Sequence, residues 1–167
     1  MFPPGVAETN PSVPLFIGYT EKAMMAAPDD LLEQPVSVSS LREYEMYFGM
    51  SSLKFFMMYY SIAAYFNNGG GKCFVISIGK DPDLVKKQDF IRGLTLSEQV
   101  VDTGLLLFPE ATKLPGLALY EVQQLALAGC DRLQNRFCIL DLKPATDAES
   151  HTGVVTEFRD NIGLWNL

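Results

Sequence analysis

The chain has 167 residues, of which 48% are hydrophobic and 20% are charged, a composition typical of a globular protein rather than a disordered one. This length suits one domain with a sizeable core. The formal net charge is −7 and lysine and arginine do not cluster, which argues against nucleic acid or an anionic membrane surface as a partner. The N-terminus lacks the basic and apolar regions of a secretory signal. The sequence contains no run of about 18 apolar residues, so no transmembrane span is predicted.

Apolar runs bounded by turn residues predict the strands. Gly18 interrupts the first run, LFIGY, and indicates a bulge or a close approach of another group to the backbone. Proline cannot donate to a strand ladder, so the short run that opens with Pro35 is predicted to be an edge strand. The later runs, CFVISI, GLLLF and FCILDL, are apolar throughout, as in strands covered on both faces. The predicted strands are residues 15–19, 35–38, 73–78, 104–108 and 137–142.

Helical segments are predicted between these strands. Ser40 is a suitable N-cap, Glu43 has the spacing of a capping box, and Gly49 can end the helix that follows. The next segment, residues 53–66, is apolar almost all round and would be roughly 21 Å long, too short for a bilayer core. We interpret it as a central core helix, or as a helix partly buried against a partner subunit. Further helices are expected at residues 84–101, with a break near Gly93, at 116–133 and at 154–165.

The alternation of strands and helical segments predicts an α/β fold. We expect a layered single domain with a mostly parallel or mixed sheet of about four to five strands flanked by helices. Residues 1–12 are polar and rich in proline and are expected to form an N-terminal arm, while residues 13–167 form the core domain.

Two sequence features are candidates for a catalytic or phosphate-binding site. The sequence GGGK at residues 69–72 lacks the context of a phosphate-binding loop, because a helix precedes it, a strand follows it, and Cys73 stands where serine or threonine is needed. A plain helix-to-strand turn is favoured. Asp141 lies near the end of a predicted strand, where carboxylates often line sites in α/β proteins. No partner motif accompanies it, so a turn-capping role is favoured.

The remaining candidate site residues also have a structural explanation that requires no catalytic or binding role. His151, the only histidine, is interpreted as an exposed loop residue, and Glu43 and Glu45 are two apart on a helix and so face different directions. The aromatic residues of segment 53–66 have no interleaved basic side chains, so core packing is favoured over stacking on nucleic acid bases. We therefore predict no catalytic, cofactor-binding or metal-ligating residue.

The cysteines are three in number and show no Cys-x-x-Cys spacing. An odd count without such a pair argues against a disulfide framework or a zinc site, so we interpret all three as free buried thiols. They are Cys73, Cys130 and Cys138.

Five segments, taken in order, resemble the signature of contractile tail sheath proteins, which build the sheath of phage tails and related injection machines. The segments are PLFIGYTEKA at 14–23, EYEMYFG at 43–49, YFNNGGGKCFVI at 65–76, LLLFPEAT at 105–112 and RFCILD at 136–141. Each segment alone is weakly specific, whereas five in the family's order cover most of the chain.

The resemblance implies a structural, non-enzymatic subunit without a cofactor. It implies assembly with other sheath subunits around an inner tube, in the bacterial cytoplasm and then in a virion tail or tail-like particle. Residues 1–12 are short for the family's N-terminal arm and the family's C-terminal region is missing, so we expect a core truncated at both linking arms. As an isolated chain it is expected to be a monomer or small oligomer.

Two alternatives belong to other classes of protein. One is a small α/β enzyme with its site near Asp141 at the carboxyl ends of the strands, which predicts a deep polar pocket there. The other is an unrelated protein-binding module that uses the exposed part of the aromatic helix, which predicts an apolar surface patch around Tyr59 and Tyr60.

Overall fold

The computed structural model describes residues 13–51, 54–145 and 151–163. The predicted N-terminal arm, residues 1–12, lies outside the described residues, as does the end of the predicted last helix. The strands are β1 (Val13–Tyr19), β2 (Pro35–Val38), β3 (Cys73–Gly79), β4 (Thr103–Leu107) and β5 (Phe137–Cys138). The helices are α1 (Leu41–Phe48), α2 (Met57–Asn67), α3 (Lys87–Ser97), α4 (Ala118–Leu133) and α5 (His151–Ile162), and a short 3₁₀ helix, Pro109–Lys113, follows β4.

The five strands form one mixed sheet with the spatial order β2-β3-β1-β4-β5. The central strand β1 pairs in parallel with β3 and β4, and β5 pairs in parallel with β4. The edge strand β2 runs antiparallel to β3. The predicted layered α/β domain is therefore confirmed. The bulge expected at Gly18 is also confirmed, because the register between β1 and β3 shifts between Gly18 and Tyr19.

The central strand β1 is buried on both faces. Leu15 and Ile17 enter a hydrophobic cluster with residues of α3, α4 and α5, whereas Phe16 enters a second cluster with residues of α1 and α2. Successive residues of a strand point to opposite faces, so two-sided burial requires an apolar run without alternation. The sequence LFIGY meets that requirement, and the helices form a layer on each face of the sheet.

Helix α3 passes through Gly93 without a break, so the predicted break there is wrong. A Cβ atom at Gly93 would lie 2.4 Å from Ile17 Cγ2 and 2.9 Å from Ile78 Cγ2. The missing side chain lets α3 approach the sheet closely enough to cover those two residues. Here glycine marks a packing contact between helix and sheet, and the helix tolerates its lower propensity.

The aromatic helix α2 begins at Met57, later than the predicted residue 53, which itself lies outside the described residues. Residues 54–56 are not helical. The Ser51 hydroxyl donates to the Lys54 carbonyl oxygen at 2.8 Å and accepts from the Phe56 amide at 3.1 Å. This local bonding competes with the first helical turn and delays the start of the helix.

The last predicted strand and helix also differ in extent. Strand β5 has two residues instead of six, because only Phe137 and Cys138 pair with β4, opposite Leu105 and Leu106. Helix α5 begins at His151, so this residue is helical and not in a loop. Within the described ranges, none of the helices combines the length and apolar character needed to cross a bilayer.

The substitution Gly93→Ala is expected to lower the free energy of unfolding by about 1–3 kcal/mol, because the new methyl group overlaps Ile17. Urea unfolding followed by circular dichroism measures this change. Gly129 in α4 is the matched control, since a Cβ atom there meets nothing within 4 Å. Gly129→Ala should raise the free energy of unfolding by about 0.5–1 kcal/mol through helix propensity. Equal effects at both positions would contradict the packing role of Gly93.

Candidate interaction surface

Helix α2 is buried along one side only. Met58 and Ile62 are fully buried, whereas Tyr60 is 47% exposed and Phe55, just before the helix, is 60% exposed. The interpretation of this segment as a core helix covered on most sides is therefore wrong. The alternative, a helix partly buried against a partner subunit, stays a prediction. We call Phe55, Tyr59 and Tyr60 the aromatic surface.

The aromatic surface is joined to the core by a series of ring contacts. Phe55 stacks on Tyr60 with 4.9 Å between ring centroids and 22° between ring planes. Tyr60 meets Tyr59 edge-on at 5.3 Å, and Tyr59 lies 6.4 Å from the buried ring of Tyr44 in α1. The exposed rings contact each other and, through the half-buried Tyr59, the buried ring of Tyr44, so less rotamer freedom remains to be lost when a partner covers them.

Two lysines fix the segment that leads into α2. The Lys54 ammonium contacts the Asp81 carboxylate at 2.5 Å in the loop between β3 and α3. The Lys113 ammonium donates to the Pro82 carbonyl oxygen at 3.2 Å and lies 6.0 Å from the centre of the Phe55 ring. These contacts attach the exposed edge of the aromatic surface to the loop after β3 and to the 3₁₀ helix.

A buried carboxyl group lies beneath the first turn of α2. Helix α2 has no side-chain cap of its own at Phe56. Instead, Glu110 of the 3₁₀ helix is completely buried, and its Oε1 accepts a 2.7 Å hydrogen bond from the Met58 amide. The other oxygen, Oε2, would lie 2.5 Å from a Cβ atom at Gly18 and makes no hydrogen bond of ordinary geometry. Gly18 therefore leaves the space that Glu110 occupies.

Burial raises the pKa of Glu110 from 4.5 to about 7. Smaller opposing effects favour the charged carboxylate, and they come from the backbone amides of Met58, Glu110 and Tyr19 and from the charge of Lys113. The nearby carboxyl also adds to the effect of burial in raising the pKa of Tyr44. Because the folded-state pKa of Glu110 exceeds its ordinary value, its contribution to stability is fully present below about pH 4.5. That contribution is lost as the pH rises through about 7.

The substitution Glu110→Gln is expected to remove this pH dependence while keeping an acceptor for the Met58 amide. Between about pH 5 and pH 8 the wild type should lose on the order of 3 kcal/mol of stability relative to the variant. Denaturant unfolding at a series of pH values measures the difference. Glu121→Gln, in an exposed ion pair with Lys87, is the matched control and should follow the wild type. Parallel profiles for wild type and Glu110→Gln would contradict the assignment.

Sequence reasoning missed Glu110 because no local pattern connects it with α2, 52 residues earlier. Two signals point toward it in retrospect. The aromatic helix has no capping residue at Phe56, and Glu110 follows Phe108-Pro109 inside one of the five segments.

The features considered for phosphate or carboxylate chemistry have structural roles. The glycine-rich turn joins α2 to β3, as predicted, with Gly69 at a φ of 84°. The Ser40 hydroxyl accepts from the Glu43 amide at 3.1 Å, and the Glu43 carboxylate accepts from the Ser39 amide at 2.7 Å. Glu45 instead accepts from the Tyr59 hydroxyl at 3.1 Å. Glu43 and Glu45 therefore do not form a carboxylate pair.

Asp141 lies beyond the end of β5 and not at the carboxyl end of a strand. Its side chain is exposed, although partial burial raises the pKa of its carboxyl group, and its carbonyl oxygen accepts a 2.7 Å hydrogen bond from Gln123 Nε2. A groove of about 240 Å³ lies between α3 and α4, and Asp141 does not line it. Among the described residues, no group of three or more histidine, cysteine, aspartate and glutamate side chains is arranged to hold a metal ion.

The three cysteines are free thiols, but they differ in environment. Cys73 is buried, as predicted, and burial raises the pKa of its thiol to about 12. Cys130 and Cys138 are only half-buried, which corrects the expectation that all three are buried. The neighbouring Cys138 side chain lowers the pKa of the Cys130 thiol, whereas the Cys130 side chain and burial raise the pKa of the Cys138 thiol.

No protein-family model and no curated protein matches the sequence. Solved structures share its fold, and two of them are components of the anti-feeding prophage. A chain of the anti-feeding prophage baseplate in the contracted state aligns with a TM-score of 0.55 and 27% identity, over 82% of this chain and 39% of that one. A chain of the anti-feeding prophage helical sheath in the contracted state aligns with a TM-score of 0.54 and 19% identity, over 90% of this chain and 43% of that one.

The chain thus spans about two fifths of the length of the relatives that it matches. Both relatives are components of the anti-feeding prophage in its contracted state, and the alignments cover 82% and 90% of this chain. The resemblance to contractile tail sheath proteins that the five sequence segments carry is confirmed in the fold of the chain.

Proposed function

We propose that this chain is a structural subunit of a contractile tail sheath or tail-like particle, where it packs against other sheath-type subunits around an inner tube. The observation that carries the proposal is the shared fold with components of the anti-feeding prophage sheath and baseplate, together with five sequence segments in the family's order. The role is mechanical and requires no catalysis.

The aromatic surface is the proposed contact with a neighbouring subunit. Phe55 and Tyr60 are large, exposed and already stacked, so covering them removes apolar area from water at a small cost in side-chain order. Aromatic residues of this kind are enriched among the side chains that dominate binding energy at protein interfaces. Lys54 and Lys113, with their partners, supply a polar rim beside them.

The enzyme alternative receives no support from the geometry around Asp141, which has no convergent acid, base or nucleophile described next to it. The binding-module alternative shares the exposed aromatic surface with the sheath proposal. The comparisons favour the sheath proposal, because both relatives are components of an assembled particle.

The finer parts of the proposal concern assembly. The inner tube is a partner, assembly takes place in the bacterial cytoplasm, and residues 1–12 form an arm outside the core. The isolated chain is a monomer or small oligomer and does not form contractile-length tubes alone. Electron microscopy of the purified chain tests this last point directly, and tubes would contradict it.

Incorporation into particles is the decisive measurement. A tagged chain is co-expressed with the proteins encoded by the neighbouring genes, particles are isolated by sedimentation, and immunoblotting measures the tag. Wild type should be incorporated. The double substitution Phe55→Ser and Tyr60→Ser should lower incorporation by about tenfold or more, because two anchoring rings are lost from the contact.

Matched variants separate a lost contact from a lost fold. Val101→Ser removes an exposed apolar side chain elsewhere and should be incorporated normally, as should Asp141→Ala. Thermal unfolding of each purified variant checks that the domain is intact. Failure of the wild type to enter particles would overturn the proposed function. Normal incorporation of the double variant would remove only the aromatic surface from it.

A further inference from the structure

The short 3₁₀ helix after β4 holds the entry to α2 at two points. The Glu110 carboxyl accepts from the Met58 amide at 2.7 Å. The Lys113 ammonium donates to the Phe55 carbonyl oxygen at 3.5 Å and to the Pro82 carbonyl oxygen at 3.2 Å, and it lies 6.0 Å from the centre of the Phe55 ring. The outer ring of the aromatic surface is therefore positioned by a side chain of the same helix that caps α2.

Glu110 and Lys113 share one side of the 3₁₀ helix. A 3₁₀ helix has three residues per turn, so side chains three positions apart eclipse each other. Glu110 is completely buried and Lys113 is exposed. Lys113 forms no ion pair among residues 13–51, 54–145 and 151–163, and its bonds go to carbonyl oxygens instead. Its long, flexible stem lets the ammonium exchange those weak acceptors for the carboxyl group beneath it.

The Glu110 carboxyl has contacts that suit its neutral form. Oε1 accepts from the Met58 amide, whereas Oε2 fills the space beside Gly18 and has no hydrogen-bond partner of ordinary geometry. A neutral carboxyl tolerates this arrangement, but a buried carboxylate needs further donors or a cation. Burial accordingly raises the pKa of Glu110 to about 7. A change of charge at this group therefore requires a change in its contacts.

The elements packed against Glu110 contribute tyrosines as titratable groups beside it. Tyr44 belongs to α1, and its pKa is raised by burial and by the Glu110 charge. Tyr19 and Tyr59 follow Gly18 of β1 and Met58 of α2 in sequence, and burial raises the pKa of both phenols. All three tyrosines stay neutral near pH 7, so they do not balance a carboxylate. The Lys113 charge does favour it.

We propose that Glu110 and Lys113 form a pH-operated switch that sets the order of the aromatic surface. At low pH the neutral carboxyl holds the Met58 amide, and Lys113 holds Phe55 against Tyr60. When Glu110 ionises, the Lys113 ammonium leaves its carbonyl acceptors, pairs with the carboxylate and releases Phe55. The use of this switch by a neighbouring subunit rests on the proposed function, whereas the movement of Phe55 does not.

The release is confined to the outer edge of the aromatic surface. A carboxylate is favourable at a helix N-terminus, so the ionised Glu110 keeps its bond to the Met58 amide and α2 stays capped. Phe55 instead loses both its carbonyl bond to Lys113 and the cation beside its ring. A partner that covers the aromatic surface must then order Phe55 itself, which weakens binding at high pH.

The test uses the isolated chain with 4-fluorophenylalanine incorporated at position 55. Fluorine NMR follows this ring between about pH 5 and pH 9, and carbon NMR of the labelled glutamate carboxyls follows Glu110. Both signals should titrate together with a midpoint at about 7, and the fluorine signal should move toward that of the free amino acid. In Glu110→Gln, whose missing carboxyl signal assigns the resonance, the fluorine signal should stay at its low-pH position.

Two lysine variants separate the switch from a general effect of charge. Lys113→Met should place the Phe55 signal at its high-pH position throughout and raise the titration midpoint of Glu110, because the cation that favours the carboxylate is lost. Lys72→Met removes an ammonium 4.7 Å from the centre of the Phe74 ring and should titrate like the wild type.

Three results would overturn the switch. They are a Phe55 signal that stays constant while Glu110 titrates, a Phe55 signal that titrates equally in Glu110→Gln, and a Glu110 carboxyl that does not titrate in this pH range. The wild-type titration decides the first and third even if a variant fails to fold. None of these measurements requires particles, so their failure is distinct from a failure of the wild type to be incorporated.

Discussion

The central strand β1 has no face in contact with water between Pro14 and Tyr19, and the two helical layers follow from that constraint. On one face α3 lies so close that Gly93 must lack a side chain, since Ile17 fills the space. On the other face Gly18 lacks a side chain, and the carboxyl group of Glu110 occupies its place. Glu110 thereby joins β1, the 3₁₀ helix after β4 and the first turn of α2. A polar group is retained in this core because the start of α2 needs an acceptor.

The strands and helix caps were predictable because their signals are local. An unbroken apolar run indicates a doubly covered strand, and Ser40 followed by Glu43 indicates a helix start. The extent of β5 was not predictable, because it depends on pairing with β4, about 30 residues earlier in the chain. Gly93 was misread because a glycine that breaks a helix and a glycine that admits a neighbouring strand look the same in sequence. Contacts between distant segments decide such cases, as they do for Glu110.

The exposure of the aromatic surface differs from what the apolar composition of α2 predicts. An apolar helix is expected to be covered on most sides, yet this domain covers only the side that bears Met58 and Ile62. The remaining aromatic side chains are too large and too ordered to be incidental exposure. Phe55 and Tyr60 already have the stacked arrangement that a covered interface would show. In the proposed assembly, the uncovered side of α2 is the part of a core that a second subunit completes.

In the proposed mechanical role, a load applied at the aromatic surface would have to spread over the whole domain, and the attachments of α2 offer routes for it. A force on Tyr60 passes through Tyr59 and Tyr44 to α1, because their rings are in contact. A force on Phe55 passes through Lys113 to the 3₁₀ helix and the loop after β3. Beneath both, Glu110 connects the start of α2 to the end of β4 next to the central strand. Helix α2 therefore cannot move away from the sheet without breaking contacts in three separate elements: α1, the 3₁₀ helix and the loop after β3.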